Sequence, residues 1–171
     1  MNQEELNQYF RNTWNSNITQ YQYSGLQLVN KVQPNETVLD VGCGFNEFKR
    51  HIPTLVGIDP ANDQADFVTS IEHFRKDIKF DVAFCLGSIN FGSEETILNQ
   101  IDCVVQCLKP SARIYWRCNP GLKDHGNPEC ETIDFFPWTF EKHLEYSKQF
   151  GFKCQMIAWD SNDRIYSEWK R

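Results

Sequence analysis

No apolar stretch in this 171-residue chain approaches the roughly 20 residues that a helix needs to cross a bilayer, so a soluble protein without a membrane partner is expected. A dense Lys/Arg cluster is missing too, and the formal net charge is -6, which excludes a broadly basic surface for nucleic acid. Internal repeats and low-complexity segments are absent, leaving one domain with at most a short N-terminal attachment. Recognisable catalytic sets are scarce as well: no Ser-His-Asp, Cys-His or paired-carboxylate arrangement stands out.

Cysteine is plentiful but unpatterned. The seven, at 43, 85, 103, 107, 118, 130 and 154, form an odd set without a signal-peptide pattern ahead of them. Positions 85, 118 and 154 fall in strand-like runs. Reduced thiols and a cytoplasmic location are therefore expected rather than a disulfide framework. Cys103 and Cys107 are four apart on a predicted helix, but no second Cys/His pair with zinc-like spacing accompanies them, since His125 stands alone between Cys118 and Cys130. No metal is expected.

The remaining composition is that of a packed globular domain, with 40% apolar and 23% charged residues and thirteen Phe, six Tyr and five Trp to fill a core. In the first 35 residues, Leu6, Tyr9, Phe10 and Trp14 recur at helical spacing and predict one amphipathic helix. A second short helix is expected over 19–31, before Pro34-Asn35 breaks the chain. Residues 1–35 read as a helical lid or brace on a main domain at 36–171. From Thr37 onward, apolar runs predict strands at 37–41, 54–58, 66–69, 80–85 and 111–118. Ser93 to Leu108 is the clearest helix, with Ser93 as cap, Glu94 and Glu95 at its positive end, and Ile97, Ile101, Val104, Val105 and Leu108 as its buried stripe. Lys109-Pro110 should close it. Thr139 opens another helix through Phe150, stopped by Gly151. The tail reads as two strands, 152–159 and 164–169, about the turn Asp160-Ser161-Asn162-Asp163. Strand–helix alternation implies a mostly parallel sheet with helices on both faces and a terminal antiparallel hairpin.

The most informative segment is Val38-Leu39-Asp40-Val41-Gly42-Cys43-Gly44. Glycines after a strand permit positive φ and close approach of a ligand to the main chain. The free amides of a following helix would favour an anionic or carboxylate-bearing ligand. A second run, Leu55-Val56-Gly57-Ile58, ends in Asp59, where a nucleotide-binding α/β fold places an acceptor for ribose hydroxyls.

These segments, taken in order, resemble the motifs of the class I, Rossmann-like S-adenosylmethionine-dependent methyltransferases. Leu39 to Gly44 resembles the first motif, and Val56-Gly57-Ile58-Asp59-Pro60 the acidic end of the second strand. Phe80 to Cys85 resembles the fourth-strand motif, and Leu108-Lys109-Pro110 followed by Arg113-Ile114-Tyr115 the step into the fifth. The likeness spans about residues 36 to 171 and implies a three-layer αβα sandwich, a seven-stranded mostly parallel sheet and a C-terminal antiparallel hairpin. Two departures stand out. Asn46 occupies the third loop position, where glycine is common, and Asp59 lies only 22 residues before Asp81, so the intervening helices must be short. This compactness is similar to that of virally encoded members.

The resemblance implies S-adenosylmethionine as cofactor. Gly42, Cys43 and Gly44 would pass its methionine end, with Asp40 reaching the ammonium. Asp59 and Pro60 would meet the ribose, and Thr69, Ser70 and Ile71 would border the adenine. Leu86, Gly87, Ser88 and Ile89, after the fourth-strand motif, would line the floor near the transferable methyl. On the acceptor side, Asn90 stands where such enzymes often carry a substrate-contacting polar residue. His125, in a long loop after the fifth-strand motif, is the candidate general base. His51, His73 and His143 read as helix-surface residues without a role. The acceptor is a small molecule or an exposed group on a macromolecule; the acidic balance and the absence of a recognition domain favour the former. A protein that binds the cofactor without transferring the methyl, as regulator or subunit, is the alternative. A nicotinamide enzyme is disfavoured, because Glu47 stands where a third glycine or alanine is needed.

Overall fold

The computed structural model describes residues 2–15, 17–123 and 131–171. Its elements are α1 (Gln3–Asn12), β1 (Val38–Val41), β2 (Leu55–Ile58), β3 (Phe80–Leu86), α2 (Glu94–Gln106), β4 (Leu108–Cys118), α3 (Phe140–Gln149), β5 (Lys153–Asp160) and β6 (Arg164–Lys170). They build one α/β sheet in the order β2-β1-β3-β4-β6-β5. The first four strands in that order are parallel, and β6 runs antiparallel to both β4 and β5, which is the expected terminal hairpin.

The sheet has six strands, not seven. The run at 66–69 contributes only an isolated bridge between Ile58 and Phe67. Its neighbour Asp66 explains part of this: the carboxylate accepts the Gly57 N–H at 2.8 Å, a donor that a full edge strand would otherwise take. Desolvation works against Asp66, yet the bonds from Gly57, Lys49 and Asn46 hold its carboxyl below the usual range.

Alternation along the strands sorts the core onto two faces. Ala83, Cys85, Ile114 and Trp116 face α2 and α3. Val82, Phe84 and Tyr115 face Leu28, Phe48 and Ile52 on the other side. That second layer is built from two 3-10 segments, Leu26–Lys31 and Glu47–Arg50, rather than from α-helices. The helix expected over 19–31 is thus shortened, because the N–H groups of Tyr23 and Ser24 are drawn to Asp160 (2.9 and 3.3 Å). The helix expected after the glycine loop is a single turn, so its N-terminus is no anion site.

Where helices do form, local chemistry accounts for them. Ser93 caps α2 by accepting the Thr96 N–H at 3.2 Å, and Ile97, Ile101 and Val104 are its buried stripe, whereas Val105 is only partly buried and Leu108, expected to end the helix, opens β4. Thr139 caps α3 through Lys142 N–H at 3.1 Å, and Gly151 turns the chain out at φ 79°. Lys109 and Pro110 lie inside β4 rather than in a loop. The β3–β4 register jumps there from Phe80–Leu108 to Val82–Arg113, and such an irregularity tolerates a residue without an N–H. His143 is not on a surface: it is fully buried on α3, stacked on Trp138 at 4.6 Å, and burial lowers its pKa to about 3.

Gly57 shows how tightly the edge is packed. A Cβ there would sit 2.4 Å from Asn46 Oδ1 and 2.8 Å from Cys43 Sγ. Gly57→Ala is expected to cost about 1–3 kcal/mol, read as a lower urea midpoint at unchanged slope. The double variant with Asn46→Gly should recover part of that loss; strict additivity would show that Asn46 is not the obstacle.

Candidate active site

At the carboxyl edge of the sheet the chain leaves β1 and folds back over β2. The N–H groups of Gly42 and Cys43 both donate to Ile58 O, at 2.8 and 3.0 Å. This reversal needs positive φ at Gly42 (69°), Gly44 (54°) and Asn46 (56°). Asparagine is among the few non-glycine residues that tolerate that region. Asn46 also anchors the loop by donating from Nδ2 to Gln64 O at 3.1 Å. The first two glycines are needed for space as well. A Cβ on Gly42 would lie 2.3 Å from Ser88 Cβ, and one on Gly44 would lie 2.9 Å from the Trp14 ring.

Asp59 ties this loop to the next. Its Oδ2 accepts the Gly44 N–H at 2.9 Å, and its Oδ1 accepts Ala61 N–H at 2.7 Å and Asn62 N–H at 2.9 Å. A carboxylate offers about four lone-pair sites, so three are spent and one remains, on Oδ2. Burial raises the Asp59 pKa, with the three amide bonds pulling the other way. Asp40 differs. Only 3% exposed at the end of β1, it lines the cleft, and its carboxylate has no hydrogen-bond donor among the described residues. Burial first, and the nearby Asp59 second, raise its pKa to about 8.

These groups open onto a cleft of about 1470 Å³. Asp40, Gly42, Cys43, Gly44, Asp59, Pro60, Thr69, Ser70, Ile71, Leu86 and Gly87 all line it, and so does Asn90. Thr69 is set by its N–H to Asp59 O at 3.1 Å, and Ser70 Oγ meets His73 Nδ1 at 3.0 Å. Asn90 Oδ1 accepts the Asn119 N–H at 3.0 Å. That bond fixes the amide orientation and leaves the NH₂ end as a donor, so Asn90 cannot act as a base. The Cys43 thiol is pushed far up by burial and the surrounding carboxylates, which makes it a poor nucleophile. His125 lies outside the described residues.

Helix α1 crosses the cleft mouth. Arg11 Nε donates to Ala61 O at 2.8 Å on one side, and Phe10 packs edge-on to Phe91 at 5.5 Å on the other. Trp14 stacks on Phe45 at 6.1 Å, directly over the glycine loop.

No protein-family model matches the chain, and no curated protein sequence matches it. Solved structures do. One is a complex of the Haloferax volcanii Trm112 methyltransferase activator with a chain assigned as a methyltransferase. It aligns with a TM-score of 0.66 at 13% identity, over 84% of this chain and 87% of that one. The N-methyltransferase NodS from Bradyrhizobium japonicum WM9, in complex with S-adenosyl-l-homocysteine, aligns at 0.61 and 15% identity over 80% and 78%. The amino pentose methyltransferase CalS10 from Micromonospora echinaspora, with S-adenosylmethionine bound, aligns at 0.61 and 14% over 85% and 87%. The fold is that of the class I S-adenosylmethionine-dependent methyltransferases.

In this methyltransferase fold, the cleft also takes in residues that no sequence pattern singled out. Arg117 and Arg164 are cleft residues. Arg117 alone left a trace in the sequence, as a charge inside the otherwise apolar run from Ile114 to Cys118. No helix among the described residues is long and apolar enough to cross a membrane.

Asp40 makes stability depend on pH. With its folded pKa near 8 and an unfolded value near 4, the folded chain keeps a proton that the unfolded chain has released. Stability therefore falls as pH rises toward 8. His143, whose folded pKa is depressed, acts in the opposite sense only below its unfolded pKa near 6.5. Between pH 6.5 and 8 a decline of up to about 2 kcal/mol is expected from Asp40 for the ligand-free protein. Asp40→Asn should flatten it in thermal or urea unfolding, and an unchanged slope would refute the assignment.

Proposed function

We propose that the cleft binds S-adenosylmethionine and that the protein transfers its methyl group to an acceptor, in the first place a small molecule. The observation that carries this reading is Asp40, a buried carboxylate without a donor, facing the cleft beside a glycine loop. An ammonium group is the partner such a carboxylate lacks. The glycine loop leaves room beside it for the rest of the methionine end, with Cys43 contributing backbone. The single unused site on Asp59 Oδ2 suits one ribose hydroxyl, with Pro60 beside it. Thr69, Ser70 and Ile71 border the space for a flat base, and Leu86 and Gly87 form the floor next to Asn90.

Once bound, the sulfonium supplies an electrophilic methyl group. The residues of the chain then have to hold, align and dry the reacting pair, and positioning of that kind contributes about 7–11 kcal/mol. Residues 1–35 take the part of the lid: α1 bridges the Ala61 and Phe91 sides and covers the glycine loop through Trp14. The remainder, 36–171, is the binding and transfer domain. The Asn90 NH₂ group orients an acceptor heteroatom, and a cytoplasmic setting suits the free thiols at 43, 85, 103, 107, 118 and 154.

Calorimetry with S-adenosylhomocysteine tests the reading, and no detectable binding would end it. Binding without turnover on any acceptor would shift the protein to a regulator or subunit. The lone-pair count on Asp59 adds a sharper expectation. Of the 2′-deoxy and 3′-deoxy forms of the ligand, one should bind about tenfold more weakly and the other unchanged. Equal affinity of both with the parent would remove Asp59 from the ribose.

A further inference from the structure

The far wall of the cleft is built differently from the end that holds Asp40. Arg117, near the end of β4, is only 8% exposed and lines the cleft together with Tyr21, Ser24 and Arg164. It sits beside the floor: Arg117 is in register with Leu86, and its carbonyl accepts the Gly87 N–H at 2.8 Å. Its guanidinium is held rigidly. Nη1 donates to Asp160 Oδ2 at 2.8 Å and to Ser24 Oγ at 3.4 Å, and Nη2 donates to Ser161 O at 2.9 Å. The Tyr21 ring stacks on it with its centroid 4.0 Å from Cζ.

Those bonds use three of the five N–H groups. Nε–H and one Nη2–H have no acceptor among the described residues, and two donors are the complement of a carboxylate or phosphate. Asp160 cannot saturate the cation, because its own oxygens also accept Tyr23 N–H, Ser24 N–H, the Ser24 hydroxyl and Ser161 N–H. Arg164, the first residue of β6, lies close enough to repel Arg117: burial and this like charge depress the Arg117 pKa. Asp163 is the acidic residue lining the same wall. The turn that presents this wall holds two consecutive non-glycine residues at positive φ, Asn162 at 61° and Asp163 at 52°. Such strain collects at functional sites.

We propose that the wall formed by Arg117, Tyr21 and Arg164 binds an anionic group of the methyl acceptor, a carboxylate or a phosphate. The proposal rests on the methyltransferase reading for the position of the donor, and names the acceptor class that reading leaves open. The anion docks on the Arg117 donors, and the remainder of the acceptor extends over Leu86 and Gly87 toward Asn90.

Calorimetric titration of the protein saturated with S-adenosylhomocysteine tests it, with benzoate, its neutral isostere benzamide and inorganic phosphate as probes. Benzoate and phosphate should bind, and benzamide should bind about tenfold more weakly or not at all. Arg117→Met would strand Asp160, so the variant is Arg117→Lys, which keeps a cation beside Asp160 and removes the paired Nε and Nη2 donors, with Arg164→Gln as a second. Both should lose about tenfold in anion affinity while S-adenosylhomocysteine affinity stays the same. Equal binding of benzoate and benzamide, or unchanged anion affinity in both folded variants, overturns the proposal. A parallel loss of S-adenosylhomocysteine affinity also overturns it, because the wall would then serve the donor's own carboxylate. If S-adenosylhomocysteine does not bind the parent protein, the methyltransferase reading fails. The same anion titration on the ligand-free protein then still decides whether the wall binds anions.

Discussion

The carboxylate of Asp59 holds the carboxyl edge of the sheet together. It joins the glycine loop after β1 to the turn after β2 through three backbone N–H groups. Each of those amides would otherwise be stranded in a buried turn at a cost of about 1–3 kcal/mol. With the two loops fixed against each other, Gly42 and Gly44 keep the cleft open at one end, and Asp40 is left buried beside it without a donor. The cleft follows from that linkage, and so does the unusual electrostatics of its floor.

The chain reaches this arrangement with little material. Its edge is closed by the Asp66 carboxylate and a single bridge at Phe67 instead of a further strand, and one face of the sheet is covered by 3-10 turns. Economy on that face is balanced by bulk on the other, where Trp116, Trp138 and Trp169 surround the buried ring of His143. Helix α1 supplies what the short loops do not, an aromatic cover over the glycine loop.

Much of this was legible in the sequence because it rests on local chemistry. The Ser93 and Thr139 caps, the stripe Ile97-Ile101-Val104 and the glycine spacing each act within a few residues, and each is where its pattern placed it. The cleft residues that follow β1, β2 and β3 were legible for the same reason, since strand ends carry them, while Thr69, Ser70 and Ile71 follow a run that forms only a bridge. What could not be read depends on distant partners. Asp160 takes the Tyr23 and Ser24 amides from across more than 130 positions of chain, and so dissolves a helix that spacing alone predicts. Asp66 replaces a strand in the same way, and His143 turns inward because tryptophans from three other segments surround it. The orientation of Asn90 belongs with these: its carbonyl oxygen accepts the Asn119 N–H, a bond that only the folded loop reveals.

In the proposed reading Asp40, held protonated at neutral pH in the ligand-free cleft, ionises against an ammonium group. Titration of S-adenosylhomocysteine at pH 7 in two buffers of different ionisation enthalpy measures that ionisation directly. With Asp40 at a pKa of about 8 when free and ionised against the ligand's ammonium when bound, close to one proton should be released on binding. Binding with no proton release in the parent protein, or the same release in Asp40→Asn, would contradict the reading.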